Sequence, residues 1–476
     1  MDAIKTPYYE FFKIEKEMNL FSLKYKDVSY WQLVRFGLLK KITTNKIEVA
    51  NGGGGRSIKN EIVGAYKDSR RTYRLLDDAV EVDLIRIRPE VTLSNTGALD
   101  DHQYDYMVLD QDIKVMDLYA LGNYVDVPKC VEFSMSPAEY MTILWKIKRN
   151  LLGEQSIDND QKKILDNFVT QINEIYKMKF DLDSLEHVIQ YCVASHIRYR
   201  DYYKKVLKKT RPKAIMVYPH YDEHMFSAIA AAKHMKIKVI EIQHGRINAH
   251  EAYWYEDQNT IGKLLPDYFF AYGEWWVEQT KMPVDVKLIV TGSTYLDAQM
   301  NQLSTQVYEK KILSIFSGIQ TGLALTKFIV NNYEMLTNMN IEIWYKLHPN
   351  EFKIWSTAYP ELRNNAKIKV ITNEMSTYKI INDSDFILGI NSTVFFEALA
   401  FKNKKIFILE DGDIKSMEPL ILNGYAYKFK TANELKNLIE NEYVTINSDK
   451  FEFWKDNAIM EVRRQINNVI MDSLRC

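Results

Sequence analysis

Histidine is scarce in this chain, with nine in 476 residues, and three of them stand directly or closely behind short apolar runs that read as β-strands. His220 follows AIMVY through Pro219, His244 follows KVIEIQ, and His348 follows IEIWYKL and is succeeded by Pro349. In parallel α/β sheets ligands gather at the carboxyl ends of strands, where loops lead into helix N-termini. An imidazole there can take a proton from a hydroxyl or stabilise charge on a leaving phosphate. Other polar residues are expected at the same edges. Glu241 near the end of KVIEIQ is an alternative base, and Gly245 lets a ligand approach the backbone. Arg246 and His250 lie in the polar and aromatic run that follows. In the second half of the chain, Ser317 and Gly318 follow ILSIF, Lys346 precedes His348, and Asn391, Ser392 and Thr393 follow DFILGI and open the helix VFFEALAF. Hydroxyls and free N–H groups at a helix start suit a phosphate, although ordinary N-capping also uses them. Lys346 alternates with Leu347, which favours a solvent-facing side chain over a ligand contact.

The elements that must position these residues are legible as a repeating pattern. From 214 the chain alternates AIMVY, the helix DEHMFSAIAAAKHMK, KVIEIQ, DYFFAY, the helix EWWVEQT and KLIVTG. From 312 it alternates ILSIF, GLALTKFIVNNYEML, IEIWYKL, KIKVIT, STYKIINDS, DFILGI, STVFFEALAF, KKIFIL and ANELKNLIENE. Strand, helix, strand repeated in this way predicts parallel sheets. Residues 136–209 carry apolar residues at helical spacing and read as three helices inserted into the first domain. Before them, short apolar runs at 80–87 and 106–110 are separated by irregular polar stretches. The expected organisation is an N-terminal α/β domain over 1–296, a polar linker at 297–311, a Rossmann-like nucleotide-binding domain over 312–449, and a last helix at 450–476 crossing back to the first domain.

Composition removes several function classes. Lys and Arg number 62 against 63 Asp and Glu, so no global positive field exists to hold a nucleic acid. Three widely spaced cysteines, Cys130, Cys192 and Cys476, show no zinc or redox spacing and fit a reducing cytoplasm. No signal peptide or run of spanning length is seen. The run Asn51-Gly52-Gly53-Gly54-Gly55 lacks phosphate-loop spacing and reads as a surface loop. Asp383-Ser384-Asp385 is the nearest thing to an Asp-x-Asp metal motif, but it precedes a strand instead of ending one, so neither a divalent cation nor any other cofactor is expected.

The ordered series IQHG, DYFFAYG, VTGSTYLD, KLHPNE and GINSTVFFEALAFKNKKIFIL, spanning about 210–410, resembles the bacterial capsule and surface-polysaccharide glycosyltransferases of GT-B fold. That group includes capsule Kdo transferases, polysialyltransferases and, more distantly, teichoic-acid glycerophosphotransferases. The resemblance implies two Rossmann-like domains with parallel sheets facing a cleft, and metal-independent transfer from a nucleotide sugar. It implies His348 and Pro349 at the donor phosphate, Ser392 and Thr393 at the phosphate-binding helix, His244 and Gly245 near the acceptor, and Glu397 on the ribose. The chain lacks the Trp-His-Gly string of the glycerophosphotransferases and the acidic motif of the bacterial sialyltransferases. The expected function is therefore sugar transfer to a growing capsule or O-antigen, with an oligosaccharide or lipid-linked glycan as acceptor. The rivals are a nucleotide-sugar 2-epimerase, a polyol-phosphate transferase and a non-catalytic sugar-binding protein. YWQLVRFGLLKKI, at 30–42, reads as a basic amphipathic helix that either rests on the inner face of the plasma membrane or packs on the first domain.

Overall fold

The computed structural model describes residues 8–44, 58–88, 92–93, 99–100, 104–119, 133–134, 136–247, 264–280, 282, 285–304, 306–401, 403–412, 414–441 and 453–473. His250 and the run 51–55 lie outside them. The chain divides into two units. The first comprises Met1–Ala271, Val277–Thr291 and Met460–Cys476, and the second Tyr272–Trp276 and Gly292–Ile459. The stretch 297–311 expected as a linker thus belongs to the second unit, where its first residues complete the helix Thr294–Gln302. The last helix, Ala458–Asp472, contributes its residues from Met460 onward to the first unit.

Among the described residues, the main sheet of the first unit has seven strands: β1 Leu84–Arg88, β2 Val115–Tyr119, β3 Phe133–Ser134, β4 Ala214–Val217, β5 Lys238–Ile242, β6 Tyr268–Ala271 and β7 Lys287–Val290. All pair in parallel, in the order β7-β6-β5-β4-β1-β2-β3. The run at 80–87 supplies β1, whereas 106–110 forms no strand. The strand beyond it is β2, whose central Asp117 breaks the apolar signal because it pairs with Arg86 instead of entering the core. Successive side chains of a strand point to opposite faces, and the packing follows that alternation. Ile85, Ile87, Ile215, Val217 and Val239 join one apolar cluster with the helices Leu182–Thr210 and Glu223–His234. Leu84, Ala214, Met216, Ile240 and Ile242 join another with Val462, Ile466, Val469 and Ile470 of the last helix. Burial on both faces is why these strands read as continuous apolar runs.

A third cluster is built mainly from helices. Trp31, Leu33, Val34, Leu38 and Leu39 of the helix Trp31–Thr44 pack with Phe11, Leu165 and Phe168. Glu15 is buried there and accepts from Trp31 Nε1 at 2.8 Å and from Arg35 Nε at 2.6 Å. The apolar stripe of 30–42 is committed to the interior of the first unit, the second of the two expected alternatives. No helix among the described residues is long and apolar enough to cross a membrane.

The second unit holds β8 Lys311–Phe316, β9 Ile341–Lys346, β10 Ile368–Ile371, β11 Phe386–Gly389, β12 Lys405–Leu409 and β13 Tyr427–Phe429. They too are all parallel, in the order β10-β9-β8-β11-β12-β13. Counted within each unit, both sheets run third, second, first, fourth, fifth, sixth, with β7 added at the far edge of the first. This is the doubly wound order of Rossmann domains, whose switch point lies between the first and fourth strands. The two expected Rossmann-like α/β units, each on a parallel sheet, are the ones observed.

Candidate functional site

In the first unit the switch point lies between β1 and β4. Leaving β4, the chain passes a cis Tyr218–Pro219 bond and reaches His220 and Tyr221 before Asp222 caps the helix Glu223–His234 by accepting the His224 N–H at 2.8 Å. Parallel pairing sets Val217 level with Glu241 of the neighbouring β5, so the returning loop brings His220 over that carboxylate. His220 Nδ1 lies 2.8 Å and 3.0 Å from the two Glu241 oxygens, and the His220 backbone N–H donates to Oε1 at 3.0 Å. Both residues are fully buried. A carboxylate only accepts, so the Nδ1 carries the proton between them. Glu241 therefore orients an imidazole, which corrects its expected role as an alternative base open to substrate.

His244 stands two residues beyond β5 and keeps part of its surface accessible. Its Nε2 lies 2.9 Å from the Tyr221 hydroxyl, and its ring stacks 6.2 Å from that of Tyr218. Desolvation pushes its pKa down to about 4; nearby His220 adds to the fall and the Glu241 carboxylate opposes it. At neutral pH the ring is uncharged, the form that can accept a proton, with a carboxylate near enough to favour the imidazolium once it forms. Gly245 takes the Gln243 side-chain amide on its carbonyl at 2.7 Å. An added Cβ there would meet nothing within 4 Å among the described residues, so packing does not require the glycine. Arg246 beside it is partly exposed. Of the other residues expected at this edge, His220 is fully buried, Gly245 and Arg246 follow His244 and are partly exposed, and His250 lies outside the described residues.

In the second unit three neighbouring strands, β9, β8 and β11, end in the expected motifs. His348 is exposed and caps the short turn Pro349–Glu351. Its Nδ1 accepts the Asn350 N–H at 3.2 Å, which leaves the ring proton on Nε2, directed away from that turn as a donor. The main chain at His348 is fixed by a different group: Glu351 Oε2 accepts the His348 N–H at 2.8 Å. Glu351 is buried, and its other oxygen accepts from Ser317 Oγ at 3.0 Å and from Tyr359 OH at 2.6 Å. Gly322 must be glycine at this point, since a Cβ would stand 2.3 Å from both Glu351 Oε1 and Tyr359 OH. Ser317 therefore spends its hydroxyl inward and joins the loops after β8 and β9, which corrects its expected contact with phosphate. Gly318 receives the Thr321 and Gly322 N–H groups on its carbonyl at 2.9 Å and 2.7 Å.

Lys346 is also turned inward. Its ammonium donates to the Thr372 carbonyl and lies 5.1 Å from the Phe352 ring centroid, and desolvation lowers its pKa while Glu374 partly restores it. It neither faces solvent freely nor reaches a ligand edge. Beyond β11, Asn391 and Thr393 are exposed, Asn391 Oδ1 accepts from Ser416 at 2.8 Å, and Ser392 Oγ accepts the Val394 N–H at 3.3 Å. The helix they open is short, Val394–Ala398. Gly389 is required just before it, because a Cβ would meet Phe395 Cζ at 2.8 Å. Glu397 is hydrogen-bonded by Tyr378, and burial raises its carboxyl above the usual range. Asp383 and Asp385 sit at the amino end of β11, where they bind the Tyr308 hydroxyl at 2.7 Å and the Ile312 N–H at 2.9 Å.

Sequence reasoning missed Tyr221, Glu351 and Tyr378, partners of expected residues, and Tyr359, which joins them through Glu351. Glu351 carried one signal: it stands three residues after His348, the spacing of a capping box.

No family model matches the chain, and no curated protein matches it. Solved structures do. UDP-GlcNAc 2-epimerase from Neisseria meningitidis bound to UDP-GlcNAc is similar at 15% identity and TM-score 0.47, over 82% of this chain and 100% of that one. Acinetobacter baumannii MurG is similar at 10% identity and TM-score 0.42, over 81% and 99%. The wall teichoic acid polymerase TagF is similar at 12% identity and TM-score 0.35, over 58% and 86%. At these identities the likeness is one of fold.

Proposed function

We propose that the chain is a glycosyltransferase that moves a sugar from a nucleotide-sugar donor to an oligosaccharide or lipid-linked acceptor of a bacterial surface polysaccharide, capsule or O-antigen. The observation that supports it most is the pair of oppositely equipped histidines at the carboxyl edges of two Rossmann-ordered sheets. His244 is neutral, partly accessible and electrostatically near Glu241. His348 is exposed with its Nε2 proton available to an anion. In this reading the second unit takes the donor, with His348, Asn391, Thr393 and the amides beyond β11 at the diphosphate and Glu397 at the ribose. His244 removes the proton from the acceptor hydroxyl. The acceptor oxygen bonds to the anomeric carbon as that carbon's bond to the phosphate oxygen breaks, and the electron pair leaves on the nucleotide, where the His348 donor stabilises it. No step uses a metal ion, and the protein works in the cytoplasm, peripherally at the inner membrane where lipid-linked acceptors are found.

The deciding experiment incubates purified protein with UDP-, GDP-, CDP- and CMP-sugars, with and without a surface-glycan acceptor, in the presence of EDTA. The proposal expects acceptor-dependent release of nucleotide that survives chelation. An epimerised donor formed without acceptor would replace it with the epimerase reading, and loss of activity on chelation would remove the metal-independent mechanism.

A further inference from the structure

The helices Ile58–Asp77 and Ser136–Leu152 lie side by side in the first unit. Tyr66 meets Tyr140 with ring centroids 5.5 Å apart, and Thr72 meets Ser134 at 3.1 Å, so the helices run in opposite directions. The second helix buries Ala138, Thr142 and Trp145 on its inner side. Positions 144, 147 and 151 fall on the opposite side at 3.6 residues per turn, and a solvated helix face is ordinarily polar there. Here it holds Leu144, Ile147 and Leu151, exposed by 37%, 36% and 77%, and the neighbouring helix adds Val63 at 43%. Large apolar side chains gathered in one exposed stripe mark a contact surface.

The charges around the stripe name the partner. Lys67, Arg70 and Arg74 are exposed along the outer side of the first helix, and Lys146 and Lys148 along the second. Among the described residues, two nearby carboxylates are engaged elsewhere: Glu139 is desolvated within electrostatic reach of His224, and Glu154 is engaged by Lys26 and Trp145. Asp68 is only half exposed, and Asp77 stands at the far end of the first helix. An apolar ridge bordered by cations fits the headgroup layer of an anionic bilayer, with leucine and isoleucine entering the acyl boundary and lysine and arginine meeting the phosphates.

We infer that this two-helix face, and not the buried helix Trp31–Thr44, docks the protein on membranes rich in anionic phospholipid. The inference stands on the surface alone and is independent of the reaction proposed above.

Cosedimentation of the full chain with vesicles tests it. Binding is expected to an equimolar mixture of phosphatidylcholine and phosphatidylglycerol, to weaken at high salt, and to be absent on phosphatidylcholine alone. Leu144→Glu with Leu151→Glu should lower the bound-to-free ratio about tenfold or more. Arg70→Glu with Lys148→Glu, which leaves the apolar ridge intact, should lower it about fivefold or more per position. All four positions are exposed, so the variants should keep the wild-type unfolding temperature, and Lys40→Glu on the outer side of Trp31–Thr44 should bind as wild type. The inference is overturned if the chain ignores anionic vesicles, if both double variants bind unchanged, or if the leucine variant only dissolves a dimer, which would make the stripe an interface between copies.

Discussion

The two sheets share a strand order and place a histidine and a carboxylate at the same edge, yet they join the two groups in opposite ways. In the first unit Glu241 meets the ring of His220 at 2.8 Å. In the second Glu351 meets only the main-chain N–H of His348, also at 2.8 Å, and leaves the ring to Asn350 and solvent. A carboxylate on an imidazole sets its tautomer and its readiness to hold a proton. A carboxylate on the backbone fixes where the ring stands without changing what it can donate. The first arrangement sets a buried carboxylate–imidazole pair beside His244, the proton-handling ring, and the second suits holding an anion, which is how one fold can supply two different histidines.

Changes on the proton-handling side should be the most costly. His244→Ala is expected to lower kcat by about 10²–10⁴, the range of a lost general base. Because burial holds the His244 pKa near 4, activity should be flat from neutral pH down to about 5 and fall only as pH approaches about 4. A pH–rate profile bending near the ordinary imidazole value would break the comparison. On the second side the large effect should be structural. Glu351→Ala removes the shared acceptor of His348 N–H, Ser317 and Tyr359, and the loss of a buried charged acceptor should cost about 3 kcal/mol, read by denaturant unfolding. Glu351→Gln should recover part of it.

A third prediction of similar size concerns acid stability. His196 is buried against Ser227, and desolvation lowers its pKa from 6.5 to about 4. The unfolded chain therefore binds more protons than the folded one between those values, so stability falls as pH drops through that window and is restored above it, by about 3 kcal/mol from this residue. His196→Gln should flatten that part of the curve. Smallest of all, His348→Ala removes an exposed ring and should change stability by less than about 0.5 kcal/mol, although it should weaken nucleotide binding.

The strands that the sequence revealed are those buried on both faces, such as Ala214–Val217 and Phe386–Gly389, because burial forces an unbroken apolar run. Val115–Tyr119 escaped notice because Asp117 serves Arg86 and Arg88 from within it. Tyr427–Phe429 and Phe133–Ser134 are too short to carry a period. Residues 297–302 looked like part of a linker because the helix they belong to, Thr294–Gln302, buries only Thr294 and Leu296, too few to mark a face. The strand-end histidines were legible because edge position follows from strand order. The direction of a side chain was not: Ser317 and Lys346 stand at the expected edge and point inward, toward Glu351 and the Thr372 carbonyl that only the folded chain brings near.

The division of labour between the two edges is tested most directly by titrating His348→Ala and His244→Ala with the nucleotide product of the reaction in a calorimeter while following turnover of each. The account predicts that His348→Ala weakens nucleotide binding about tenfold while His244→Ala binds as wild type but loses about 10²–10⁴ in kcat. Equal loss of nucleotide affinity in both variants, or turnover at the wild-type rate without His244, would contradict it.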